Sequence, residues 1–159
     1  SQIDVKVNKG FAARTTIASG TVNPNFQIAD QVVANHLVDP TNPLNISVVL
    51  EPQVVDGDKK KIPLKILIPI DSLKLVQDGS DYTAEFAVFV SVGDAEGNGS
   101  NPARQQQSMR WPAANIAQVK GKTIGFAITI EAGIERDRVS VGVLDEHSGT
   151  AGYARVMLN

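Results

Sequence analysis

No cysteine occurs in the 159 residues. Disulfides, thiolate metal sites and a cysteine nucleophile are therefore excluded together. The absence leaves the compartment open, since exported bacterial proteins often lack cysteine too. Aromatics are sparse, with one Trp, two Tyr and five Phe, too few and too scattered for a base-stacking platform. Strong charge of either sign is missing. The formal net charge is −2, which argues against a nucleic-acid binder and its basic surface. No apolar run approaches the roughly 20 residues of a membrane span. The nucleophile-elbow pattern G-x-S-x-G, the phosphate loop G-x-x-x-x-G-K-[ST] and a G-x-G-x-x-G after a strand are all absent.

What the chain does have is alternation. Its length and its 42% hydrophobic content fit one domain with a real core. Ile3, Val5 and Val7 alternate with Asp4 and Lys6 in a short strand that Lys9-Gly10 ends, and 14–22 is a weaker extended segment. Asn23-Pro24-Asn25 breaks the chain. Phe26, Ala29, Val33 and Leu37 then fall at helical spacing, so one short helix is predicted over about 26–37, with Asn25 as N-cap.

From Asn45 onward the period is two. Asn45–Val55 reads as a strand in which Pro52 marks an edge or a bulge. Ile62–Ile70 places five apolar residues on one face, while Pro63 and Pro69 on the other predict an edge strand. Tyr82–Val92 is the longest clean alternation, Arg104–Trp111 is a mixed strand, and Ile124–Ile130 alternates again. Val139–Val143 and Ala154–Leu158 form a closing hairpin around the polar turn Asp145–Gly149. Each strand hides one face, so two sheets must pack together.

Candidate chemistry is thin. Asp94, Glu96, Asn98 and Gly99 match positions one, three, five and six of a calcium loop. The twelfth position is Gln105 rather than a bidentate Glu, and no helices flank the loop, so an inter-strand turn is the competing reading. Asp94, Glu96 and Asn98 remain the only candidate metal ligands. His36 falls near the end of the predicted helix. His147 sits beside Glu146 and Ser148 in a hairpin turn, where adjacency alone makes no catalytic triad, and the cluster reads as a polar loop tip. Lys59-Lys60-Lys61 reads as a solvated hairpin tip. Trp111 reads as core, with a sugar or peptide anchor as the alternative.

Some of these segments carry a resemblance. Ile3–Lys9 (IDVKVNK), followed by Gly10 and F-A-A-R-T, resembles the exit from the last strand of an A-type domain. The family is the bacterial VWFA-related (von Willebrand factor type A domain-containing) proteins. There a short helix leads into N-P-L-N-I, here Asn42–Ile46. Its β domain ends in R-x-x-V-x-V-x-D and x-x-S-G, here Arg138–Asp145 and Ser148-Gly149, with Leu144 where the family often has Arg. The resemblance implies a C-terminal immunoglobulin-like domain of a larger exported bacterial protein, secreted, periplasmic or at the cell surface. The A-type metal motif D-x-S-x-S is absent from this chain, so no adhesion metal site carries over, and neither do any catalytic residues.

The expectation is thus an all-β protein: an immunoglobulin/fibronectin-III-like antiparallel β-sandwich of about seven strands. An N-terminal arm with the short helix covers 1–43 and the sandwich covers 44–159. Because the chain opens directly on strand-like Ser1-Gln2-Ile3, with no leader, it is expected to be a piece of a longer protein. Its expected role is a non-enzymatic structural or protein–protein interaction module without a cofactor. It would use sheet edges, the 93–102 loop or the 105–112 strand, and could pack against an upstream A-type domain. Neither nucleic acid nor membrane insertion is expected. A carbohydrate- or calcium-binding module is the alternative.

Overall fold

The computed structural model describes residues 2–6, 33, 42–94, 96 and 103–158. Period-two segments become strands, as a half-buried pleated surface requires. They are β1 (Gln2–Lys6), β2 (Ser47–Leu50), β3 (Val54–Asp56), β4 (Lys59–Pro69), β5 (Val76–Asp78), β6 (Asp81–Gly93), β7 (Ala103–Pro112), β8 (Thr123–Gly133), β9 (Arg138–Asp145) and β10 (Ala151–Met157). One helical turn, α1 (Ile116–Val119), follows a 3-10 turn at Ala113–Asn115, and another 3-10 turn spans Ile70–Ser72.

The strands make two five-stranded sheets. In the first, β8 and β4 are central, β1 lies outside β8, and β2 and β3 follow one another along the outer side of β4. In the second, β7 lines one side of β6, while β5 and then β9 line the other, with β10 beyond β9. All pairs are antiparallel except β1–β8, which is parallel from Gln2↔Thr123 to Lys6↔Ala127. A parallel neighbour needs a long crossover, and the chain between β1 and β8 supplies it. The protein is therefore an all-β sandwich. The ten strands exceed the expected seven by three: β2 and β3 are one edge strand interrupted at Glu51–Gln53, β5 is too short to show a period, and β1, expected in an N-terminal arm, joins the first sheet beside β8.

The prolines of β4 predicted an edge strand, and the structure corrects this. β4 is central, pairing with β8 along all of Lys59–Pro69. Neighbouring residues of an antiparallel strand turn their hydrogen-bonding groups to opposite sides. Ile70 donates to Lys122 O on the β8 side (2.9 Å), so Pro63 and Pro69 face the β2/β3 side. There Pro63 O accepts from Glu51 N (3.0 Å), at the interruption, and Pro69 lies beyond the last β2 pair, Ser47↔Leu67. Neither missing N–H breaks the central ladder.

The main core lies between the sheets. Ile62, Leu64, Ile66 and Ile68 of β4 and Ile124, Phe126, Ile128 and Ile130 of β8 meet Phe86, Val88 and Val90 of β6 and Val139, Val141 and Val143 of β9. Phe86 and Phe126 meet edge to face across it, 6.4 Å between centroids at 75°. β6 departs from the one-face expectation, because Ala87 and Phe89 are buried on its other side with Leu144, Tyr153 and Val33. The predicted helix at 26–37 lies outside the described residues except for Val33, which is helical and fully buried there. The segment 14–22 lies outside them altogether. Val33 comes so close to β9 that a Cβ on Gly142 would stand 2.8 Å from Val33 Cγ2 and 3.0 Å from the Tyr153 ring.

Two predictions follow from this second core. Gly142→Val should cost about 1–3 kcal/mol by overpacking, read by denaturant unfolding. Burial pushes the Tyr153 phenol above its ordinary value of 10.0. The folded chain then keeps a proton that the unfolded chain loses, so stability is constant below pH of about 10 and falls as pH rises past it. Tyr153→Phe should flatten that alkaline slope in unfolding measurements.

Candidate interaction surface

The outer side of β2 and β3 is built by a bulge. Val48–Leu50 pairs with Ile66–Leu64, and Val54–Asp56 pairs with Lys61–Lys59. Between Leu50↔Leu64 and Val54↔Lys61 the edge strand advances four residues and β4 advances three. The extra residue falls in Glu51-Pro52-Gln53, where Pro52 has no N–H to contribute to a ladder. Both meanings of Pro52 expected from the sequence, edge and bulge, are realised.

The bulge resets which side chains face outward. Val49 is outward before it, while Val54 and Asp56 are outward after it, opposite Lys65, Lys61 and Lys59 respectively. Val49, Val54 and Val55 are 47%, 58% and 66% exposed. Val55 pairs with Lys60 on the inward row, but it lies at the end of the sandwich and stays open. The hairpin closes through Gly57-Asp58, with Gly57 at φ +66°, a conformation glycine adopts without steric cost. Exposed Ile134 is tied to this tip by Ile134 N–H donating to Asp58 O (3.1 Å). Among the described residues no strand pairs with the outer side of β2 or β3. The result is a short edge left unpaired among the described residues, with β10 of the other sheet close to β2 and with apolar side chains beside lysines.

The lysine run is not uniformly solvated, which corrects its reading. Lys59 and Lys61 are exposed, but Lys60 points inward, is 8% exposed and donates from Nζ to Arg136 O at 2.6 Å. Its parity in β4 dictates this, because even-numbered residues of that strand face the core.

The turn expected to be a polar loop tip also reads differently in three dimensions. Asp145 is 1% exposed. Its Oδ2 accepts from Lys74 N (2.8 Å) and Ser148 Oγ (2.7 Å), and its Oδ1 accepts from His147 N (3.2 Å). The carboxylate thus joins the end of β9 to the chain entering β5, two strands that share one side of β6. Spacing in sequence could not reveal this, because Lys74 is distant along the chain. His147 Nε2 lies 3.2 Å from Thr83 Oγ1, which also reaches Val76 O at 3.2 Å. The hydroxyl has one proton. Given to Val76 O, it leaves the imidazole as donor to Thr83, the reverse of a base activating a nucleophile. Burial raises the neighbouring Glu146 carboxyl, opposed by its hydrogen bond from Gln106 Nε2 (3.3 Å).

Among the described residues the other sequence candidates are not gathered into one site. Asp94 Oδ1 accepts from Glu96 N (3.0 Å), closing a local turn. Arg138 lies near enough for both carboxylates to favour its charge, after its dominant hydrogen bond to Asp137. Asn98 and Gly99 lie outside the described residues, as does His36. Among the described residues no group of three His, Asp or Glu could hold a metal. Trp111 is half-buried, packs against the main core and stands opposite Tyr82 in the β6–β7 register.

No protein-family model and no curated protein matches the chain. A solved structure, the X-ray structure of Northeast Structural Genomics Consortium target SoR45, is similar over 72% of this chain and 80% of that chain, at 11% identity and a TM-score of 0.31. A likeness at that score carries no argument.

Removing the Asp145 carboxylate would strand buried donors at the β9–β5 junction. Asp145→Ala should cost about 3 kcal/mol or more, and Ser148→Ala about 1 kcal/mol, in denaturant midpoints at constant slope.

Proposed function

We propose that the chain is a non-enzymatic structural and protein–protein interaction module of a larger exported bacterial protein, and that it takes partners by strand addition at β2/β3. The observation that carries this is the open edge with Val49, Val54 and Val55 exposed. An added strand gains main-chain hydrogen bonds from such an edge and specificity from alternate side chains. Lys59 and Lys61 on the outward row favour an extended partner in which apolar residues alternate with acidic ones. Of the regions expected from the sequence, 105–112 is the edge strand β7, whose outward Gln106, Ser108 and Arg110 are polar. Gln106 and Arg110 already bond to Glu146, Asp78 and Asp81. The exported setting rests on the resemblance carried by Asn42–Ile46 and Arg138–Asp145.

The test is peptide titration of isotope-labelled protein by NMR. A short peptide alternating Val and Glu should shift the amide signals of 54–56, on one side of the bulge, and bind at least tenfold tighter than its Val/Lys counterpart. Val54→Lys should weaken binding tenfold while leaving stability within about 0.5 kcal/mol, since Val54 is exposed. Perturbation centred elsewhere, or equal binding of the two peptides, would overturn the reading.

A further inference from the structure

At the far end of β4 from that hairpin, the sandwich opens into a cleft of about 480 Å³. Ligand pockets run from about 300 to 1,000 Å³, so this space suits a small molecule. Ile70, Leu73, Leu75 and Ile116 give it apolar walls. Tyr82, Asp71 and Lys120 supply the polar groups.

The walls are fixed before any ligand arrives. Ile70 N donates to Lys122 O (2.9 Å), and Leu73 N donates to Ile70 O (3.0 Å). Lys74, between two wall leucines, is held by Asp145 Oδ2. The α1 side is anchored at both ends, by Ala113 N donating to Ser80 O (2.8 Å) and Gly121 N donating to Asp71 Oδ1 (3.0 Å). Preorganised walls spare a ligand the entropy of ordering them.

The polar groups define the ligand. Asp71 spends one carboxylate oxygen on Gly121 N–H. Among the described residues neither the Lys120 ammonium nor the Tyr82 hydroxyl has a hydrogen-bond or ion-pair partner. Both are donors, and one is a cation. Two open donors beside apolar walls call for an acceptor that carries negative charge on an apolar body.

We propose that this cleft binds an apolar carboxylate, with the carboxylate accepting from Lys120 Nζ and Tyr82 Oη and the apolar body lying against Leu73, Leu75 and Ile116. The site is separate from the β2/β3 edge and stands or falls independently of it. The same chemistry is offered by a free aliphatic acid and by the C-terminus of a peptide ending in leucine.

The chain provides its own reporter, because its single tryptophan, Trp111, stands opposite Tyr82 in the register. Octanoate, octanamide and an acetylated tetrapeptide ending in leucine, with a free or amidated terminus, would be titrated by calorimetry and Trp111 emission. At least one carboxylate probe should bind saturably, with its neutral amide at least tenfold weaker. Lys120→Gln should weaken that binding about tenfold and Tyr82→Phe several-fold, with unfolding midpoints unchanged. Octanoate alone binding identifies a free acid; the peptide alone binding identifies a chain terminus. No saturable response to either carboxylate up to about 10 mM, equal binding of the amides, or indifference to both substitutions would overturn the proposal.

Discussion

The structure depends on keeping two long ladders in register. β4 and β8 pair over eleven residues each, and β6 pairs along one side with β7 and along the other with β5 and β9. Side chains alternate across a sheet, so a slip of one residue would send every Ile of β4 to the outer face. Burial of each such side chain contributes roughly 1.5–3 kcal/mol, so the row as a whole enforces the pairing far more strongly than any turn does. Everything peripheral hangs on these ladders: the bulged edge beside β4, the junction at Asp145 and the cleft where β4 gives way to a 3-10 turn.

Most of that frame was legible in the residues. Ile62–Ile70, Tyr82–Val92 and Ile124–Ile130 declare their inner faces by alternation, and the closing hairpin places Ala154 and Leu158 on the core side as its pattern implied. Two features were not legible: the side on which Pro63 lacks its N–H, and what covers the outer face of β6. Pro63 suggested an edge because a proline states only that one N–H is missing, not which neighbour would have needed it. The double burial of β6 had a signal in the unbroken apolar run Phe86–Val90, since a strand covered on both faces loses its polar alternation. What covers it, Val33, is remote along the chain.

The candidate site was less legible than the fold, for a physical reason. Asp145, His147 and Ser148 looked like exposed turn chemistry because turns and sites draw on the same residue types. Only the approach of Lys74 and Thr83 shows that these groups also tie the end of β9 to the neighbouring strands. The edge valines were hidden in the opposite sense. Val54 and Val55 look like core in sequence, and their exposure comes from the one-residue bulge and from the sandwich ending where it does.

The bulge also limits how far an edge contact can grow. A straight, flat edge is a template for endless copying, one strand after another, and is the usual start of fibrils. Here the ladder on β4 is broken after four residues and resumes for three, with the facing of side chains reversed across the break. A straight strand laid on either piece loses its match at Pro52. The break therefore denies this edge the straight, continuous ladder that strand-upon-strand copying needs, even with its valines exposed.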